Sequence, residues 1–596
     1  MCAQLGRARW RIESGLRVEV VQELCAVDPE LGWLVDVAKY GVPVGYVGVF
    51  PTGRVRNHRS AEEARGPIGG LIAEEEKKGM LLDVTELLAA FPAARGRNAP
   101  VAARPKGAGG VRMLVDHTHW VHGAPTGVNA GTDARALGLV EMARVWKASR
   151  SLRRLAAQCG PDEEVRLQVL DVTAAFRQVP VCAEDWPLLL LEWQGRSYWD
   201  TRLPMGGTWS PYWMCRISAA LARFAMERLS RDEGRRVLVA AYVDDFLVAE
   251  VVRRDATETR AAAMVQTLLD RVGLAVSRSK LTETGPPAVR KRWLGYEWDM
   301  ASLTARIPSD KVREAKRKVR SVLRSRRPST LALQELAGYL QHLAAVVLPG
   351  RAFLWATARW ASMMKHAAET RSVLPTAVVE ELDWWRSALR RRGAMEWPLP
   401  RSMAETEVFV ATDASTASGG GFVCGTRGWR VRWTRPWESK HSTHLEVLMV
   451  LVAFRHLAPE WSGKAVRLQV DNQAADLALK AGRAASPVLT RLLRQILLLC
   501  ATHRFQFFSG WVEDKDNREA DDLSRGRLAE WRARNPHATL RWVEEPSEIS
   551  WLEDCGLRLS ADDTAHTPAV EDDGAPSSDD SASTSGSRRT AGSRSC

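Results

Sequence analysis

Ala241-Tyr242-Val243-Asp244-Asp245-Phe246-Leu247-Val248 sets two adjacent aspartates between apolar, β-prone residues, and Leu170-Asp171-Val172-Thr173-Ala174-Ala175-Phe176 offers a second strand-like block that carries one carboxylate. A buried strand does not tolerate unpaired carboxylates, because each loses several kcal/mol of hydration. A cation is therefore expected against them, and a hard divalent ion with oxygen ligands is the simplest candidate: Mg²⁺, with Mn²⁺ as a substitute. Asp-Asp between apolar runs is also turn chemistry, so this pair alone leaves a tight hairpin equally open.

The neighbouring blocks break that tie. Leu203-Pro204-Met205-Gly206-Gly207-Thr208-Trp209-Ser210-Pro211 has glycines that permit close backbone approach and a proline that marks a turn. Gly273-Leu274-Ala275-Val276-Ser277-Arg278-Ser279-Lys280 and then Trp293-Leu294-Gly295-Tyr296 follow. In this order the D-x-x-x-A-F, L-P-x-G-x-x-x-S-P, Y-x-D-D, G-L-x-x-x-x-S-K and L-G blocks resemble the reverse transcriptase family.

The resemblance implies a right-hand polymerase that performs in-line nucleotidyl transfer with two metal ions, and it makes Asp171, Asp244 and Asp245 the catalytic metal ligands. Phe176 matches the aromatic ring that excludes a ribose 2′-hydroxyl, although a core phenylalanine would read the same. Lys106 and Arg112, flanking the glycines of Arg104-Pro105-Lys106-Gly107-Ala108-Gly109-Gly110-Val111-Arg112, match residues that clamp an incoming triphosphate; surface charge is the plainer reading. Met205, Gly206 and Lys280 complete the expected nucleotide-binding set. Met205 stands where many members carry Gln or Phe. Asp116-His117-Thr118-His119-Trp120-Val121-His122 tempts a zinc reading but lacks a fourth ligand, so the end of a fingers strand is expected there.

From about Thr406 the pattern changes. Val408-Phe409-Val410-Ala411-Thr412-Asp413-Ala414-Ser415 and Gly419-Gly420-Gly421-Phe422 read as a strand and the start of a hairpin. His444 to Ala453 reads as a helix with Glu446 in its first turn, and Val466-Arg467-Leu468-Gln469-Val470-Asp471-Asn472 as a strand ending in a carboxylate. The succession closes on Asn517-Arg518-Glu519-Ala520-Asp521-Asp522-Leu523-Ser524-Arg525 and resembles the ribonuclease H domain of retroelements. That resemblance assigns Asp413, Glu446, Asp471 and Asp521 to a second two-ion site, with Asp522 as the alternative to Asp521. Helix-terminal or capping roles are the plainer readings of Glu446 and Asp471. Some members carry a histidine before the last helix; Trp511-Val512-Glu513-Asp514-Lys515-Asp516 has none.

At 596 residues the chain exceeds one hydrophobic core. The expected class is multidomain, α+β and α/β, with an N-terminal extension over 1–94, reverse transcriptase fingers and palm over 95–300, thumb and connection over 301–402, an RNase H-like domain over 403–528, and a tail over 529–596, disordered from about 560. The net charge of +13 and pI near 9.5 point to a polyanionic partner. The sharpest basic run, Lys311 to Arg324, has helical apolar spacing and falls where the family has its thumb, so it is expected to contact phosphates. The nine cysteines form no C-x-x-C pair and suit a reducing interior.

No signal peptide or membrane-spanning stretch is read, so an intracellular protein is expected. The implied partners are an RNA template, a DNA primer, their hybrid and dNTPs. The connection, with Trp384-Trp385 between expected helices at Leu331–Leu343 and Val378–Leu389, most resembles the DIRS-like branch of retrotransposons. The competing reading is a decayed element that only binds nucleic acid, and retention of all seven acids disfavours it.

Overall fold

The structure, a computed structural model, describes residues 15–543 apart from 107–109, 122–123, 134–136, 138–144, 257–258, 326, 365–370, 372, 392–394 and 433–440. His122 and the tail expected from about 560 lie outside the described residues. Helices α1 (Val18–Val27) and α2 (Gly32–Tyr40) bury Val21, Leu24, Leu34 and Val37 in one core with Leu170, Val172 and Phe246. Of the expected extension over 1–94, Leu16 to Val44 are therefore part of the packing around the first acidic strands, while Ala61, Ile68, Ile72 and Leu81 pack with Val101, Val115 and Trp193, so it is not a separate unit. A basic hairpin follows, β1 (Val101–Lys106) and β2 (Gly110–Val115), with Arg104 opposite Arg112.

Three antiparallel strands hold the first acids: β3 (Glu163–Asp171), then, after helix α3 (Trp209–Arg231), β4 (Val237–Tyr242) and β5 (Asp245–Arg253), with β5 central. Side chains alternate across a strand. Val165, Leu167, Val169, Leu247 and Ala249 accordingly face one core, while Leu170, Phe246 and Val248 face another beneath α3 and α4 (Arg260–Val272). Both faces are covered, which explains why these strands read as almost unbroken apolar runs.

Beyond α4, strands β6 (Arg290–Trp293), β7 (Tyr296–Asp299) and β8 (Thr304–Arg306) form a meander. Trp293, Tyr296 and Trp298 bury completely in it, each contributing roughly 1.5–3 kcal/mol of apolar burial. Helix α5 (Ser309–Arg324) turns Ala315, Val319 and Val322 inward and leaves Arg313, Arg317, Arg320 and Arg324 exposed. It packs on α6 (Thr330–Leu343), and β9 (Glu396–Pro398) returns to pair with β8.

The C-terminal unit is one six-stranded mixed sheet. Strands β10 (Val408–Ser415), β11 (Gly419–Cys424) and β12 (Arg427–Val431) are antiparallel. Helix α7 (Ser442–Leu457) is buried on every side. Strand β13 (Ala465–Val470) lies parallel to β10; helices α8 (Gln473–Ala481) and α9 (Pro487–His503) lead to β14 (Gln506–Trp511), parallel to β13. After α10 (Arg518–Arg525), the residues expected to begin a tail instead form α11 (Leu528–Arg534), which buries Trp531, and an edge strand β15 (Thr539–Val543) parallel to β12.

The two halves are joined through Arg494 of α9. Its guanidinium donates to Ala352 O (2.9 Å) and to the fully buried Glu381 (2.7 Å) and lies 4.7 Å from the Phe353 ring centre. Glu381 also accepts from Ala356 N, Thr357 N and Thr357 Oγ1, so the charge pair is fully hydrogen-bonded.

Candidate active sites

In the β3–β5 sheet Asp171 lies directly opposite Asp245, and Asp245 also pairs with Tyr242, so Val243 and Asp244 make a two-residue hairpin turn. The turn and the carboxylate pair, which the sequence left as alternatives, are one object. Val243 has φ +57°, an unfavourable backbone for a β-branched residue. It is held from both sides: Ser218 Oγ of α3 donates to Val243 O, and Val172 N donates to Asp244 O at 3.0 Å.

Alternation places Asp171 and Asp245 on the same face, and the electrostatics record the crowding. Burial, a hydrogen bond donated by the protonated carboxyl to Asp171 and the nearby Asp244 push Asp245 up to about 7. Burial raises Asp244 as well, with Asp171 adding to the effect and Lys280 opposing it. Lys280 Nζ forms an ion pair with Asp171. The residue expected to bind nucleotide thus lies against the first carboxylate.

Phe176 is half-buried against the core under α3. Behind it, buried Arg177 bonds Asp200 and Glu75 at 2.8 Å each and fixes the block. Gly206 has φ +126°, and a Cβ there would stand 2.2 Å from Val115 O, so the loop and hairpin strand β2 touch backbone to backbone. Asn129 ties this contact, donating to Gly206 O and accepting from Thr208 N, both at 2.9 Å. Met205 beside it is exposed. Lys106 and Arg112 are exposed on the hairpin and do not touch the carboxylates.

His117 and His119 do not make a metal site with the described residues. Strand β2 ends at Val115, and His117 is buried edge-on to Trp209 with ring centres 5.4 Å apart. Burial pushes His117 down to about 4.

In the C-terminal sheet Asp413 lies within β10 and Asp471 just past the end of the adjacent parallel strand β13, each two residues past the registered pair Ala411–Gln469. Glu446 reaches them from α7. Oxygens of Asp413, Glu446 and Asp471 lie within 4.8 Å of one another. Helix α7 begins at Ser442, with His441 Nδ1 accepting from Thr443 N, so Glu446 lies in the second turn and not the first. A helix-terminal role does not account for it.

Glu446 Oε1 accepts from Ala414 N (3.2 Å), while buried Oε2 has no partner among the described residues. Burial, then Asp413 and Asp471, raise Glu446 well above the carboxylate range. Burial and Asp471 push Asp413 up to about 8. Three hard oxygen donors, one of them orphaned, fit a divalent cation.

Helix α10 closes the site. Ser524 Oγ donates to Asp413, and Asn517 Nδ2 donates to Asp471 Oδ2 (3.1 Å) and Thr412 O (2.9 Å). A Cβ on Gly421 would meet Leu523 Cβ at 2.5 Å, so α10 sits directly on the sheet. Asp521 raises Asp413 through its charge and pairs with Arg525 and Arg527. Asp522 is buried and held by Arg527 and Arg534.

Sequence reasoning missed Asn129 and Ser218, which carry no local motif. It also passed over Arg177, just beyond the first acidic block, and it quoted Asn517 and Ser524 inside a motif without giving them roles.

Residues 140–298 match the family model described as Reverse transcriptase (RNA-dependent DNA polymerase). This segment is similar to that family. No curated protein matches the chain in sequence. Among solved structures, the foamy viral protease-reverse transcriptase dRH in complex with double-stranded DNA shares 16% identity at a TM-score of 0.43, covering 83% of this chain and 81% of that one. The foamy viral protease-reverse transcriptase in complex with RNA/DNA hybrid shares 16% identity at a TM-score of 0.41, covering 84% of this chain and 61% of that one. Among the described residues no helix is long and apolar enough to cross a membrane.

Proposed function

We propose that the protein is an RNA-directed DNA polymerase that copies a retroelement RNA, of the DIRS-like branch, into DNA and degrades the RNA strand of the resulting hybrid. One observation carries the reading: a single chain gathers two separate carboxylate sets on two different sheets, Asp171 with Asp244 and Asp245, and Asp413 with Glu446 and Asp471. We assign fingers and palm to 95–300 with Leu16–Ala94 packed onto them, thumb and connection to 301–402, and a ribonuclease H-like domain to 403–543.

Divalent ions, two at each site, would activate the attacking oxygen and neutralise charge on the phosphate. The chain's own residues supply the rest. Asp171, Asp244 and Asp245 hold the polymerase ions, and Asp413, Glu446, Asp471 and Asp521 those of the nuclease. Phe176 excludes the 2′-hydroxyl, Lys106 and Arg112 clamp the triphosphate, and Met205, Gly206 and Lys280 border the same pocket. The exposed arginines of α5 track duplex phosphates.

The test is extension of a DNA primer on an RNA template with Mg²⁺ or Mn²⁺, with Asp245→Asn as control. Template-dependent DNA synthesis by the native chain and none by the variant is expected. Equal synthesis by both would place the chemistry elsewhere.

A further inference from the structure

Between α6, the Gly350–Arg359 segment and the end of α8 lies a groove of about 660 Å³ whose lining includes Arg351, Trp355, Arg359, Lys480 and Arg483 and no carboxylate. Lys480 is held by Asp476 at 2.6 Å. Arg351, Arg359 and Arg483 are exposed and have no ion-pair partner among the described residues; Arg359 leans on Trp355 at 5.2 Å. Several other arginines are placed beside acids, as with Arg196 on Glu76 and Asp83 or Arg223 on Asp28, whereas these three line one groove. Three like charges converging without a counter-ion repel one another, and a polyanion relieves that repulsion.

From the groove, contacts run toward both halves of the molecule. At one end Gln341 of the lining is followed by His342, whose ring stacks on Tyr296 of β7 with centres 4.5 Å apart. At the other end Arg483 precedes Ser486, whose Oγ meets His444 Nε2 at 3.1 Å, and His444 is two residues before Glu446.

We propose that Arg351, Arg359 and Arg483 form a phosphate clamp that carries the backbone of an RNA–DNA hybrid from the palm to the C-terminal acids. This rests on the function proposed above. The contacts read charge and not sequence, and the clamp acts on cleavage more than on nucleotide addition, because the hybrid reaches the second site only through it.

The test compares the full-length native chain with two triple variants, Arg351→Gln/Arg359→Gln/Arg483→Gln and the charge-keeping Arg351→Lys/Arg359→Lys/Arg483→Lys. Binding of a labelled RNA–DNA hybrid is measured against salt. The Gln variant is expected to flatten the log-log salt slope by roughly 0.7–0.9 per lost contact, and the Lys variant to keep it. Hybrid cleavage by the Gln variant is expected to fall about tenfold while single-nucleotide addition changes less than about twofold, a difference of about 1 kcal/mol. An unchanged slope in the Gln variant overturns the clamp, as does an equal loss in the Lys variant. A native chain that binds the hybrid but neither extends nor cleaves overturns the proposed function, and the slopes still decide the clamp. A native chain that does not bind the hybrid overturns both.

Discussion

In the palm, Asp171 rests against the ammonium of Lys280 while Asp245 faces it across the strand pair; in the C-terminal sheet, Asp413, Glu446 and Asp471 converge with hydrogen-bond donors but no ion pair among the described residues. The palm carries its own cation, so its carboxylates meet at a half-exposed hairpin with the charge partly balanced. The C-terminal acids have no such partner among the described residues, and burial together with Asp471 pushes the Asp413 and Glu446 carboxyls up. Two carboxylate clusters can thus differ in how their charge is met, and each difference can be tested.

The largest effect separates the sites. Asp245→Asn is expected to lower primer extension by at least about 10³-fold, some 4 kcal/mol of barrier, and to spare hybrid cleavage, with Asp471→Asn doing the reverse. Parallel assays on the two variants check this; loss of both activities in either would merge the sites. Next, Phe176→Ala is expected to reduce discrimination against ribonucleotides by roughly tenfold or more, with cleavage unchanged. Competition between ribo- and deoxynucleotides measures it, and an unaltered ratio removes the steric role.

Asp413→Asn bears on the resting charge. Without divalent ions it is expected to stabilise the C-terminal unit by roughly 1–4 kcal/mol, because it removes a buried, crowded carboxylate, while cleavage is lost. Urea denaturation in chelator is the measurement, and destabilisation would show that the acids do not strain the fold.

The smallest effect lies where the palm meets α6. Tyr296 Oη donates to His342 O (2.6 Å) and so accepts from His342 Nδ1 (3.0 Å), which leaves Nε2 to accept from Lys311 (3.1 Å). The ring must be neutral, and burial and Lys311 push it down to about 4. An unfolded histidine takes up its proton near pH 6.5, so between about pH 6.5 and 4 the unfolded chain binds more protons and stability is lost as pH falls. His342→Asn is expected to cut that acid-induced loss by about 1–2 kcal/mol. Urea midpoints at pH 7 and pH 5 measure it, and an unchanged pH dependence would show that His342 titrates normally.

The acidic strands were legible because Asp171 and the Asp244-Asp245 pair interrupt apolar runs, and alternation then fixes their shared face. Lys280 was legible as part of a motif but not as the partner of Asp171, since nothing local encodes a contact between distant segments. Glu446 sits one turn later than the sequence reading puts it because the helix begins at Ser442, before His444, and is capped by His441, a residue type with little capping signal. Strand β15 went unread because Thr539-Leu540-Arg541-Trp542-Val543 is an edge strand with polar neighbours, and buried Trp531 was the one clue before it. The clamp was invisible because its arginines come from separate segments that only the fold brings together.

Gly206 and Met205 are adjacent yet should drift very differently. The Met205 side chain is 37% exposed and free to be exchanged, whereas any atom added at Gly206 collides with the carbonyl of Val115. A saturation library over this dipeptide should therefore recover broad diversity at the first codon and glycine almost alone at the second, so the loop can retune its chemistry without unseating the hairpin above it.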